Sequence, residues 1–284
     1  MTLVHPVIDY MGKLKNRIKA FGFAHMKQIY QYVDNPTRKT DPIFLVGCGR
    51  SGTNMLVFRL ANSWQIELFN EDHPAAFKDF RIGDLNTIHE VVDRSYARIA
   101  LFKPILSTTQ TSNLLSYFPT SRAIFVFRHY YDVINSSIKR FGLLNRLDHV
   151  NAWINDDFAE FGTFQPPKKT KELIRSSWEP KISPETGAAL YWIFYNQLFI
   201  DMHLNQNERV LLVRYESLVN NPIREFERLC GFLNLRFDPN YVAGIFSTSV
   251  KKNKPPDIGE KVRHACDNLW IRLSQEVGVI EELE

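Results

Sequence analysis

Short, unbroken apolar runs separated by stretches of helical spacing mark the central part of this 284-residue chain. The runs are 43–46 (IFLV), 65–69 (QIELF), 98–102 (RIALF), 123–127 (AIFVF) and 209–213 (RVLLV). A strand with one wet face alternates apolar and polar residues, whereas a continuous run suits a strand buried on both faces of a parallel sheet. Segments with the length of helices fall between them, at 52–63, 109–117 and 132–140. The alternation predicts an α/β fold, an open parallel β-sheet flanked by helices on both faces. Such sheets bind ligands beyond the carboxyl ends of their strands.

The ends of the chain follow other patterns. Residues 7–33 carry Val7, Met11, Leu14, Ile18, Phe21 and Ile29 near helical spacing, opposite Lys13, Lys15, Arg17, Lys19 and Lys27. A basic amphipathic helix can lie on a membrane surface; the commoner arrangement, expected here, is a helix packed on its own domain within an N-terminal extension of residues 1–40. Residues 33–42 read as a connector. The strand–helix rhythm breaks at 141–186, which holds Pro166, Pro167, Pro180, Pro184, several aromatics and mixed charges. Long irregular insertions are usually functional or mobile, so this one is read as a lid or acceptor-binding region. With no internal repeat, residues 1–284 are expected to form a single domain.

Composition narrows the picture modestly. Apolar residues make up 44% and charged residues 23%, and the net charge is +4, ordinary for a globular chain. That charge is too small for coating nucleic acid but suits a cleft for a polyanionic small ligand. Cys48, Cys230 and Cys266 show no paired spacing, which argues against a disulfide framework or a zinc site and suits a reducing compartment. No apolar run approaches the roughly 20 residues that span a bilayer, and the N-terminus lacks a signal-peptide layout. A soluble, cytoplasmic protein is expected.

Chemistry first shows itself in "IFLVGCGRSGTNML", residues 43–56. An apolar strand running into a glycine cluster and then a helix is how a P-loop-like segment cradles phosphate. Glycines let the backbone approach an anion, and the free N–H groups of the helix start carry partial positive charge. Ser51, Gly52, Thr53 and Asn54 supply donors. The nucleotide-hydrolase loop places a lysine after its last glycine and uses magnesium to neutralise a triphosphate; here that place holds Thr53. Arg50, inside the loop, instead offers a planar fork for an oxyanion. Such a site suits a less charged transferring group, of which sulfuryl is one.

A second segment, "RAIFVFRHYYDVINSSIKRFG" (122–142), places Arg128 at the end of a strand and Ser136 on the following helix. A guanidinium and a hydroxyl so placed can converge on one phosphate, and Asp132 can cap or open the following helix. Together the two segments resemble the sulfotransferases that use 3′-phosphoadenosine 5′-phosphosulfate (PAPS). The first is similar to their 5′-phosphosulfate loop, in the arginine-containing form of carbohydrate, protein-tyrosine and many bacterial members. The second is similar to their 3′-phosphate motif, matched at Arg128, Asp132, Val133 and Ser136. "RYESLVNNPIREFERLCGFLNL" (214–235) is similar to a third family segment.

The resemblance implies roles by position. Arg50, Ser51, Gly52, Thr53 and Asn54 would hold the 5′-phosphosulfate, Arg128 and Ser136 the 3′-phosphate, and Tyr215 and Thr248 the adenine. Val250 replaces the usual aromatic and Met55 a common tryptophan, so the adenine contacts depart from the family pattern. Its glycine- and lysine-containing C-terminal motif is not recognisable; Lys251, Lys252 and Lys254 are candidate substitutes. Cytosolic members place a histidine two residues after a strand-end lysine, but "LFKPIL" has Lys103 followed by Ile105 in that place. Arginine-loop members tend to use a glutamate after the second strand, and "ELFNEDHP" has Glu71 there. Glu71 is therefore the expected base, with His73 and Asp72 as neighbours able to take its place, and Lys103 and Arg50 would stabilise developing charge.

The resulting expectation is a PAPS-dependent sulfotransferase that uses no metal and releases 3′,5′-ADP. Its acceptor is a hydroxyl or amine of a small molecule (metabolite, natural product or lipid head group), with no nucleic acid and no transmembrane segment involved. The alternatives are a magnesium-nucleotide-dependent kinase with a variant loop, and a non-catalytic nucleotide-binding or membrane-peripheral module.

Overall fold

In the computed structural model, residues 22–23, 25–178, 182–247, 250 and 254–279 are described. The strands are β1 (Asp41–Gly47), β2 (Ile66–Phe69), the short β3 (Phe77–Lys78) and β4 (Arg81–Ile82), β5 (Ile99–Phe102), β6 (Arg122–Phe127) and β7 (Val210–Arg214). β3 and β4 pair antiparallel with each other. The others form one parallel sheet in the order β2-β5-β1-β6-β7. Its strands coincide with the five apolar runs to within about two residues, the usual uncertainty of element ends.

Successive side chains of a strand point to opposite faces, and here the two faces differ in kind. Phe44, Val46, Phe69, Phe102, Phe125 and Phe127 join one core, and Ile43, Leu45, Ile99, Leu101, Ile124 and Val126 join the other. One face is thus aromatic and the other aliphatic. Phe102 stacks between Phe44 and Phe69 at ring separations of 5.6 and 4.9 Å.

The first helices are α1 (25–34), α2 (Thr53–Leu60), α3 (Leu85–Arg94), α4 (Thr111–Tyr117) and α5 (Tyr130–Phe141). They are followed by α6 (Asn145–Ile154), α7 (Lys168–Ser176), α8 (Pro184–Asp201), α9 (Tyr215–Asn220), α10 (Pro222–Leu233) and α11 (Glu260–Glu276). Buried residues of α2, α9 and α10 cover the aliphatic face, while α3 to α8 and α11 cover the aromatic one. Both faces of the parallel sheet are therefore shielded, as its continuous apolar strands require. Of the N-terminal helix expected over 7–33, residues 7–21 and 24 lie outside the described residues. Its end docks on the sheet edge, where Gln31 Nε2 donates to Trp64 O at 3.0 Å and Ile66 O at 3.3 Å. Among the described residues no helix is long and apolar enough to cross a membrane.

Two expectations sharpen. Of the two places open to Asp132, it takes the helix start and not the cap: α5 begins at Tyr130, and the His129 ring caps it by accepting from Tyr131 N–H at 3.2 Å. Asp132 sits inside the first turn and pairs with Arg128. The segment 141–186 is more regular than its prolines suggest. It contains α6 and α7 and runs into α8, and Val150, Trp153, Phe158, Phe161 and Ile174 bury into the aromatic core. Helix α8 begins at an N-cap Ser183, whose hydroxyl accepts from Thr186 N–H, and Pro184 occupies the first turn. It is buried on nearly every face, so no amphipathic stripe announces it.

Candidate active site

Strand β1 lies between β5 and β6, where the chain order of the sheet reverses direction, and its carboxyl end opens into the glycine loop. Gly47 has φ +128°, and a Cβ there would collide with Val126 O on the neighbouring strand. Its N–H donates to Thr108 Oγ1 at 3.0 Å, and Thr108 Oγ1 donates to Ile105 O at 2.9 Å. Gly52 has φ +86° and is the N-cap of α2; a Cβ there would strike the Tyr215 ring. Arg50 itself takes φ +71°, a region a non-glycine residue keeps only where its surroundings enforce it. Its Nε donates to Ser136 Oγ at 3.0 Å, joining the two predicted phosphate segments directly. The Ser51 hydroxyl is buried with no hydrogen-bond partner among the described residues. Thr53 and Asn54 stand in the first turn of α2, the former buried and the latter exposed.

Cations converge on this loop. Arg128 is 8% exposed, pairs with Asp132 at 3.1 Å and holds its guanidinium 4.4 Å from the Tyr215 ring centre. Trp192 Nε1 of α8 donates to Arg128 O at 2.9 Å. Arg146, from α6, holds its guanidinium over the Tyr191 ring at 3.9 Å from its centre and over the Phe141 ring at 4.7 Å. Its Nη2 is 3.3 Å from where a Gly49 Cβ would be. Burial, then the charges of Arg140, Arg128 and Arg146, hold the Arg50 pKa below its ordinary value. Three guanidinium groups are thus close enough to act on Arg50, and one of them, Arg128, is paired with Asp132. A phosphate- or sulfate-bearing ligand would offset that repulsion, and the orphaned Ser51 hydroxyl suits the same ligand.

Beside the loop, Lys103 at the end of β5 donates to Glu71 Oε2, and the two form an ion pair. The lysine side chain is 4% exposed and the glutamate 21%, so the carboxylate keeps access to solvent. The neighbours of Glu71 face other tasks. Asp72 accepts from Asn70 Nδ2 at 2.9 Å, and His73 Nδ1 accepts from Ala75 N–H at 3.3 Å. Thr248, Lys251 and Lys252 lie outside the described residues. The Lys254 carbonyl accepts from Asn135 Nδ2 at 3.2 Å, which places residue 254 against α5.

Sequence reasoning missed Thr108, Arg146, Tyr191, Trp192 and Glu216. Glu216 Oε1 accepts from His129 N–H at 2.9 Å, tying the end of β7 to the end of β6, and burial raises its pKa. The Ser-Pro start of α8 and its dense aromatic run were available signals for Tyr191 and Trp192. Nothing local marks Arg146, which is one of several arginines on a polar stretch.

The sulfotransferase domain family matches residues 40–255, so the chain belongs to that family and is a sulfotransferase. Solved structures share the fold. The sulfotransferase domain of the Synechococcus PCC 7002 olefin synthase is 16% identical, with TM-score 0.50 over 82% of this chain and 95% of that one. A sulfotransferase domain from the curacin biosynthetic pathway is also 16% identical, with TM-score 0.51 over 86% of this chain and 99% of that one. No curated protein matches the sequence.

Proposed function

We propose that this sulfotransferase takes its sulfuryl group from PAPS and passes it to a hydroxyl or amine of a small molecule, such as a metabolite, natural product or lipid head group. The observation that carries the reading is the Arg50–Ser136 hydrogen bond, which joins the glycine loop to the strand-end motif of Arg128. One ligand holding two separate anionic groups would fit those two segments at once. When bound, PAPS supplies an activated sulfuryl group and leaves as 3′,5′-ADP.

In this reading the N–H groups and side chains of Arg50, Ser51, Gly52, Thr53 and Asn54 hold the 5′-phosphosulfate. Arg128 and Ser136 hold the 3′-phosphate. Asp132 fixes the Arg128 fork. Tyr215, packed on Gly52 and under Arg128, supports the nucleotide end of the loop. Glu71 takes the acceptor proton on Oε1, the oxygen left over from its bond to Lys103. Lys103 orients that carboxylate, and Arg50 stabilises negative charge at the loop. Among Glu71, Asp72 and His73, the ion pair with a buried strand-end lysine favours Glu71.

Isothermal titration of the protein with 3′,5′-ADP and with 5′-AMP tests the proposal. The 3′-phosphate should raise affinity by about 10-fold or more, the worth of charge-assisted hydrogen bonds at about 1.5–3 kcal/mol. Arg128→Ala should erase the preference. Equal affinity for both nucleotides in the wild-type protein would sink the PAPS reading.

A further inference from the structure

We infer that Arg146 is a ligand for the sulfuryl end of the donor, contributed by a helix outside the two phosphate motifs. The inference rests on the PAPS reading and adds a residue to it.

Arg146 is 6% exposed, and its Nε is buried without a hydrogen-bond partner among the described residues. No ion pair to a carboxylate joins it to any of those residues. A buried guanidinium without a counter-charge is costly, and an anionic ligand would offset that cost. Two aromatic rings, Tyr191 at 3.9 Å and Phe141 at 4.7 Å, pack against its guanidinium without neutralising it.

Where the fork points follows from the two ends of the loop. Gly52 faces Tyr215, on which Arg128 lies, so that end belongs to the nucleotide. A Cβ at Gly49 would meet Arg146 Nη2 at 3.3 Å and Ile105 Cγ2 at 3.9 Å. Ile105 stands two residues after Lys103, the partner of Glu71. Arg146 therefore caps the end of the loop nearest the base. A planar fork suits three sulfuryl oxygens better than a lysine would.

The test compares PAPS with 3′,5′-ADP, which lacks the sulfuryl group, in titrations without acceptor. Arg146→Gln should weaken PAPS binding by about 10–100-fold, the cost of losing charge-assisted hydrogen bonds, and leave 3′,5′-ADP affinity within about twofold. Thermal melts establish that the variant folds. If Arg146→Gln does not fold, Arg146→Lys keeps the charge and stem, and the same selective loss is expected at smaller size. Equal weakening of both ligands, or no change in either, overturns the assignment; the first outcome makes Arg146 a support for the loop, and the second leaves it to an anionic acceptor. A wild-type protein that does not prefer 3′,5′-ADP to 5′-AMP overturns the donor reading instead, and this inference with it.

Discussion

The site has a part carried by strand ends and a part carried by helices, and their charges are balanced differently. Lys103 and Arg128 leave β5 and β6 already paired, with Glu71 and Asp132. Arg146 comes from α6 and rests on Tyr191 of α8, with aromatic rings in place of a carboxylate. A paired strand-end cation is set in position before any ligand arrives. An unpaired one is held by packing alone, and its charge is left for the ligand. Positioning and charge compensation are therefore separate tasks here, assigned to different elements.

The largest expected effect probes the strand-borne part. Glu71→Gln should lower turnover about 10²–10⁴-fold, the usual worth of a general base, while 3′,5′-ADP affinity stays within about twofold. A matching loss of nucleotide affinity would show that Glu71 serves the loop rather than the proton. Next comes the packing that carries the helical part. Trp153 is 1% exposed and lies 4.3 Å from the Phe194 ring and 5.6 Å from Tyr191. Trp153→Ala should destabilise the protein by about 3–5 kcal/mol in urea unfolding. A cost below about 1 kcal/mol would mean that the helical part can loosen independently of the sheet.

The smallest effect separates the two ends of the loop. Gly52→Ala forces an alanine to a left-handed φ, which costs about 1–2 kcal/mol before its collision with Tyr215 is counted. Gly49→Ala has no such φ, and its Cβ would stand 3.3 Å from Arg146 Nη2, a contact a small shift relieves. Stability and 3′,5′-ADP binding should both fall for Gly52→Ala, whereas Gly49→Ala should leave 3′,5′-ADP binding nearly intact. Equal damage at both positions would erase the distinction between the two ends.

Much of the strand-borne part was legible in the chain. A strand buried on both faces must read as a continuous apolar run, so IFLV, RIALF and AIFVF disclosed the sheet directly. The glycine loop was legible for a similar reason: Gly47 and Gly52 stand where a side chain would collide with a neighbour. The helical part was not. Proline and charge in 141–186 masked α6 and α7, whose buried anchors are sparse. Helix α8 is apolar all round, so it has no stripe to give a period.

Sequence alone therefore determined the parallel sheet and the glycine loop, and placed Arg50 in that loop and Arg128 at a strand end, because each is tied to its element by local backbone geometry; Glu71 and Lys103 were singled out by the family resemblance. Only the tertiary structure decided that Lys103 holds Glu71, that Ser136 meets Arg50, and that Arg146 reaches Gly49. Those contacts join residues on separate elements, and the spacing along the chain carries no record of which side chains the packed helices bring together.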